Sequence, residues 1–303
     1  MSYLLVFFLA ILLNFWIKKI FINKNIIDSI NSRSSHQTLA TRSGGTVLFI
    51  IISLYFFYLY YNNEQPFDFS ILIPLTILFC TGLYDDIHNV DFGLKFIFQI
   101  IVAKYLIDIG YVIDIFSLFG NEFIFSRQFS QIVTIIFFVS IINAYNFIDG
   151  IDSNIHFETL KNLLIILFFL NPNQTLINFI IFIIITILVT LFFNLSKTSK
   201  VFMGDSGSLI IPLLLIIFVF DSNYIGDENI IKYIIIIFLY PLIDLTRVVV
   251  IRLLNKKSPF IADKNHIHHL INKRLGSHLK SSLVIMSIVF TFQIILIKLF
   301  LSA

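Results

Sequence analysis

The chain has 303 residues, of which 58% are hydrophobic and 13% charged, with a formal net charge of +3. Soluble domains carry about 25% charged residues and less than half apolar ones, so a soluble globular domain is excluded. Apolar runs of the roughly 20 residues that cross a bilayer follow one another with short spacers. This predicts one all-α, polytopic membrane domain over 1–303, because isolated strands cannot satisfy their backbone in lipid.

Ten spans are predicted along the chain, at 2–22, 44–62, 70–84, 94–113, 130–147, 157–170, 174–193, 208–220, 230–254 and 281–302. The first apolar run has no basic stretch before it and no small-residue cleavage site, and Lys18 and Lys19 follow it, so it reads as a retained helix. Cys80, the single cysteine, lies in the third span and excludes an intramolecular disulfide. The amphipathic stretch from Asp114 to Gln128 reads as an interfacial hairpin or helix. No repeat of fixed period and no Pro- or Gly-rich linker divides the chain.

Lysine and arginine in short loops set orientation. The loops on one side hold Lys18, Lys19, Lys24, Arg33, Arg42, Lys95, Lys161, Lys197, Lys200, Arg252, Lys256, Lys257, Lys264, Lys273, Arg274 and Lys280, which is 16 of the 21 basic residues. The opposite loops hold Arg127, with Lys232 at an edge, and are otherwise acidic, with Glu64, Asp68, Asp114, Glu122, Asp221, Asp227 and Glu228. The basic side is therefore expected to be cytoplasmic, with both termini outside. Five polar clusters all fall on that side, which points to one site assembled from five loops.

The first cluster in chain order is Asn31–His36 with Arg42–Gly45, where arginine forks suit phosphate; alone it is also an ordinary juxtamembrane loop. The second is Gly82-Leu83-Tyr84-Asp85-Asp86. Adjacent carboxylates at a membrane boundary repel and lose solvation, so they face a cation or a cavity, or else mark a solvated helix end. In the third, Asn143, Asn146, Asp149 and Asp152 recur every three residues, which on a helix places amides and carboxylates on one stripe. Oxygen donors of that kind suit Mg²⁺; the bland alternative is helix capping near Gly150. The fourth, Phe202–Ser208, leads glycine-rich backbone into a helix N-terminus, an anion site with Asp205 beside it, or a simple cap and turn. The fifth, His266-Ile267-His268-His269, lacks the spacing of a zinc site and suits phosphate contact or proton carriage, unless it is a surface run. Within the ninth span Asp244 and Arg247 are i,i+3 neighbours expected to pair, in a structural or supporting role.

In this order the five loops resemble the polyprenyl-phosphate N-acetylhexosamine-1-phosphate transferase superfamily, from about Asn31 to Leu270. The carriers are Arg-Ser-Ser-His at 33–36, the motifs at 82–86, 143–152 and 202–208, and Ser-Pro-Phe with His-Ile-His-His-Leu at 258–270. The His-Ile-His-His form is similar to the branch that initiates O-antigen, common-antigen or teichoic-acid linkage glycans. It is less similar to the phospho-muramyl-pentapeptide branch of peptidoglycan synthesis.

The resemblance implies transfer from a UDP-N-acetylhexosamine to polyprenyl phosphate in the plasma membrane. The site would face the cytoplasm, with Mg²⁺ or Mn²⁺ as cofactor, the bilayer as surroundings, a homodimer as one assembly and no nucleic acid. It implies that Asp205 ligates the cation with Asn146, and that Asp85 or Asp86 handles the lipid phosphate. Phe202 would stack on uracil. Asn143, Asn146, Asp149 and Asp152 would touch the nucleotide-sugar, and Arg33, His36, His266 and His269 the phosphates, with His268 taking part in catalysis. Two departures fall near the sugar end: Leu39-Ala40-Thr41 stands where relatives carry prolines, and Ser153-Asn154 where they carry Gly-Leu. The donor sugar stays open. A polytopic transporter, and the CDP-alcohol phosphotransferases, are the rival readings; broken midplane helices and repeated halves would favour the former.

Overall fold

Long apolar segments with few interior breakers produce a helical bundle in the computed structural model, which describes residues 2–28, 40–64, 68–88, 90–118, 121–198, 200–222, 229–258 and 265–301. The helices are α1 (Tyr3–Asn23), α2 (Gly44–Tyr61), α3 (Leu72–His88, preceded by a 3₁₀ turn at Phe69–Ile71), α4 (Phe92–Asp108), α5 (Arg127–Ile148) and α6 (Asn154–Phe169). They continue with α7 (Gln174–Leu195), α8 (Gly204–Phe220), α9 (Ile230–Ile237), α10 (Leu239–Leu254), α11 (Ile267–Leu275) and α12 (His278–Leu301). Short polar side chains start several of them: Asp91 accepts from the Gly93 amide at 2.9 Å, and Asn173 from that of Leu176 at 2.8 Å. Such caps satisfy amides that the helix itself leaves unpaired.

Each predicted span has a helical counterpart, but length separates them. Among the described residues six helices are long and apolar enough to cross a membrane, α1, α2, α3 with its 3₁₀ turn, α5, α7 and α12; α9 and α10, bent by 74° at their junction, make a seventh if taken as one span. The helices α4, α6 and α8 have 17, 16 and 17 residues. α4 stops at Asp108 because Gly110 turns the chain with a φ of +106°, where the apolar run alone suggested helix to residue 113. The stretch after it folds as an antiparallel hairpin of β2 (Ile115–Leu118) and β3 (Asn121–Ile124), the first of the two forms expected there.

The centre of the bundle is α8, where every residue except Asp205 and Phe220 is buried. It packs against α2, α3, α5 and α6. Glycine makes the closest of these approaches possible: a β-carbon at Gly45 would stand 2.1 Å from the Gly207 amide nitrogen, and one at Gly82 2.5 Å from the Asp205 carbonyl. Two strands of two residues, β1 (Ala40–Thr41) and β4 (Lys200–Val201), pair in parallel just before α2 and α8. The pairing continues into the helix starts, since Gly44 donates to the Phe202 carbonyl at 2.9 Å and Gly45 to that of Met203 at 2.8 Å.

At the bend between α9 and α10, Gln293 of α12 donates to the carbonyls of Ile236 and Ile237 at 2.6 and 3.0 Å. One basic residue was misplaced by loop counting. Lys161 lies fully buried within α6 and pairs with Glu158 at 2.8 Å, because an i,i+3 partner on the same helix lets the charge enter the bundle.

Candidate active site

The site begins where the C-terminal end of α3 meets the N-terminus of α8. Asp86 accepts from the backbone amides of Asp205 and Ser206 at 2.9 and 3.0 Å. Both its oxygens thereby satisfy amides that α8 cannot pair internally, and the positive end of the helix favours the carboxylate. Arg42 stands 3.9 Å from Asp86 and is held by Asp28 at 2.7 Å.

Its neighbour Asp85 does something different. It accepts from the Val90 amide at 2.6 Å and meets the Lys95 ammonium at 2.7 Å, which also reaches Asp205 at 2.5 Å. One lysine from the first turns of α4 thus bridges carboxylates of α3 and α8. Within the polar stripe the helix ends at Ile148, so only Asn143 and Asn146 are helical, Asp149 is the C-cap and Asp152 lies beyond it. Asn146 donates to Ser208 of α8 at 2.8 Å. Asn143 donates to Gln99 of α4 at 2.5 Å. Burial, reinforced by the negative charges of Asp205 and Asp86, pushes the Asp149 carboxyl well above the usual carboxylate range.

Asp152 forms a second grouping. One oxygen meets Lys200 at 2.7 Å and His278 at 2.9 Å, while its buried Oδ1 has no hydrogen-bond partner among the described residues. Burial raises this carboxyl, but His278 and Lys200 outweigh it and hold the group below its ordinary value. Lys200 also lies 5.6 Å from the centre of the Phe202 ring, a distance suited to cation–π attraction. Ser153, next in the chain, takes a left-handed φ of +65°, a conformation that glycine adopts with least strain.

The histidine run is anchored from α10. Asp244 accepts from the Ile267 amide at 2.8 Å and pairs with His266 Nδ1 at 2.8 Å and Arg247 at 3.0 Å, so the expected Asp244–Arg247 pair is one part of a larger clamp on α11. His266 and His268 stack with ring centres 5.6 Å apart, and His268 lies 4.2 Å from His269. The His268 ring covers Gly150, its Nε2 lying 2.3 Å from where a β-carbon would stand. Neither ring nitrogen of His268 has a hydrogen-bond partner among the described residues. Burial, with the neighbouring charge of His269, lowers its pKa to about 3.

The clusters of residues 82–86, 143–152, 202–208 and 266–269 therefore come together at one end of the bundle, while Arg33 and His36 lie outside the described residues. Sequence reasoning placed Lys95 at the end of the polar cluster that begins at Asp85 without giving it a role, and missed Lys200 and His278 as members of the site. Lys200 stands two residues before Phe202, and His278 follows the Gly276 stop of α11, so proximity to known motifs was the available signal. Asp85 and Asp205 meet across the Lys95 ammonium, Asp149 is near enough to feel the charge of Asp205, and carboxylate oxygens of this kind suit a hard divalent cation. Among the described residues no three acidic, histidine or cysteine side chains converge on one point, and between Asp85 and Asp205 stands the Lys95 ammonium. Donor chemistry and an excess of carboxylate charge fit such a cation.

Comparison with known proteins adds the following. A family model described as glycosyl transferase family 4 matches residues 68–223, the stretch from the start of α3 to the end of α8. A probable undecaprenyl-phosphate N-acetylglucosaminyl 1-phosphate transferase of Bacillus subtilis is 30% identical over 287 residues, covering 92% of this chain and 78% of that protein. The undecaprenyl-phosphate alpha-N-acetylglucosaminyl 1-phosphate transferase of Thermotoga maritima is 27% identical over 95% of this chain and 86% of its own. That of Yersinia pestis is 28% identical over 89% and 75%.

Proposed function

Since this chain belongs to glycosyl transferase family 4, we propose that it transfers N-acetylhexosamine 1-phosphate from a UDP-sugar to a polyprenyl phosphate. Undecaprenyl phosphate is the acceptor in the names of its relatives. An oxygen of the lipid phosphate forms a bond to the β-phosphorus of the donor, the bond from that phosphorus to the bridging oxygen breaks, and UMP leaves. The observation that carries the reading is the meeting of Asp85 and Asp205 across Lys95 at the start of α8, with Asp149 within reach of the charge of Asp205.

Both reactants are anionic, so the barrier is mostly repulsion and alignment. Asp85 is assigned to the lipid phosphate, because both oxygens of Asp86 are taken by the start of α8. Asp86 is then a positioning residue. Phe202 and Asp152, joined through Lys200, are assigned to the nucleobase end, and His266, His268 and His269, with Arg33 and His36, to the phosphates. Asp205, with Asn146 and Asp149, would hold Mg²⁺ or Mn²⁺, which supplies neutralisation of diphosphate charge when bound. In the same reading α4, α6 and α8 also cross, giving ten spans of the plasma membrane. The basic loops and the site then face the cytoplasm, and the product initiates a cell-envelope glycan.

A transporter is the rival from another class, and the 74° break between α9 and α10 is the feature it would use. The carbonyls at that break accept from Gln293, which gives the bend a structural account of its own. The test is UMP release by purified protein supplied with polyprenyl phosphate and a panel of UDP-sugars. Release is expected with a UDP-N-acetylhexosamine, lost in excess chelator and restored by Mg²⁺ or Mn²⁺. No release with any donor would refute the activity, and full activity in chelator would refute the cation.

A further inference from the structure

The Lys95 ammonium sits where two carboxylates from different helices need a cation. It lies 2.7 Å from Asp85 and 2.5 Å from Asp205. Oxygens that share an ammonium at these distances lie at most about 5 Å apart. Octahedral Mg²⁺ at about 2.1 Å per oxygen would bring neighbouring ligands closer than that. The lysine side chain is largely covered, with 17% exposure, so its contact is more than a surface ion pair of little worth. The remaining cation beside this group, Arg42, is already engaged by Asp28 at 2.7 Å.

Resting on the reading of the site as cation-dependent, we propose that Lys95 is a resident counter-cation that holds Asp85 and Asp205 together before the divalent cation arrives, and then yields Asp205 to it. Cation binding is on this account an exchange: a single positive charge leaves the pair's shared position as a double one enters. The lysine keeps Asp85, and its released donors turn toward the phosphates of the substrates. Two consequences follow. The cation-free protein is kept folded by Lys95, and the lysine competes with the divalent ion for Asp205.

The experiment uses the full chain in detergent, as wild type, Lys95→Met and Lys95→Arg. It measures melting temperature without divalent cations, and Mn²⁺ affinity from the spectroscopic signal of unbound Mn²⁺. Lys95→Met is expected to melt several degrees lower without cation, to regain most of that loss in saturating Mn²⁺, and to bind Mn²⁺ about tenfold more tightly. Lys95→Arg retains the charge, so it should keep the wild-type melting temperature and bind Mn²⁺ no more tightly than wild type. A Lys95→Met protein whose lost stability Mn²⁺ does not restore would make the lysine a structural strut and overturn the exchange, as would unchanged Mn²⁺ affinity. If Lys95→Met fails to fold, tighter Mn²⁺ binding by Lys95→Arg than by wild type would overturn the proposal, and unchanged or weaker binding would uphold it. UMP release by wild type, measured in parallel, keeps the two readings apart. Release with unaltered Mn²⁺ affinity in the methionine variant sinks the exchange alone, and the expected exchange without release sinks the transferase reading alone.

Discussion

Asp85 and Asp86 are adjacent in sequence yet have separate tasks, because successive helical positions point about 100° apart. One meets the lysine and the other caps α8. On the proposed reading, Asp205 is where the chemistry is most exposed to a single change. Asp205→Asn keeps the shape and removes a charge, so turnover should fall about 10² to 10³-fold, the usual cost of losing one electrostatic contact to a transition state. UMP release measured beside the melting temperature checks this, and near-normal turnover would sink the placement of the site. His268 offers a pH test. Its folded pKa of about 3 lies below the ordinary value of about 6.5, so below pH 6.5 the unfolded chain takes up a proton that the folded one refuses. Its contribution is present above pH 6.5 and lost as pH falls toward 3, amounting to about 2 kcal/mol at pH 5. His268→Gln should therefore lose less stability between pH 7 and pH 5 than wild type does. Parallel curves would contradict the buried neutral imidazole.

Elements were legible in the sequence where hydropathy alone decides them, and less so where polar contacts do. The apolar runs located every helix from α1 to α8 because lipid leaves the backbone no alternative. The polar stripe from Asn143 to Asp152 was read as one helix face, but three-residue spacing carries no information about where a helix ends. α5 stops at Ile148, and Asp152 turns to Lys200 and His278. Those partners lie 48 and 126 residues along the chain, beyond the reach of any local pattern. The bend between α9 and α10 was equally hidden, since the first half of the run 230–254 is apolar apart from Lys232 near its start. Gln293 is what completes that bend. Gln293→Leu would leave the Ile236 and Ile237 carbonyls without their donor in an apolar setting, at about 1–3 kcal/mol for each. A fall in melting temperature of several degrees is expected, and an unchanged value would mean that the bend satisfies itself.

For the whole molecule, orientation rests on the distribution of charge. Lys161 is buried, and Arg42, Lys95 and Lys200 belong to the site, which leaves 12 of the original 16 basic residues as markers of that side, still a strong bias. In a Cys80→Ser background, a cysteine at Lys257 should react with an impermeant thiol reagent only from the cytoplasm, and one at Glu122 only from outside. Both positions are exposed. The opposite labelling would invert the topology and place the site where no soluble nucleotide-sugar reaches it.

The cap that Asp86 gives to α8 also has a meaning for biosynthesis. Asp86 leaves the ribosome 119 residues ahead of the Asp205 amide it accepts from. At roughly 5–20 residues per second, that is on the order of 6–25 seconds in which α3 is in place and its carboxylates have no α8 to meet. The early helices must spend that interval with water or translocation machinery against their charged end. Protease resistance of the nascent chain should accordingly appear late and in one step, when α8 enters and four helices close on it together.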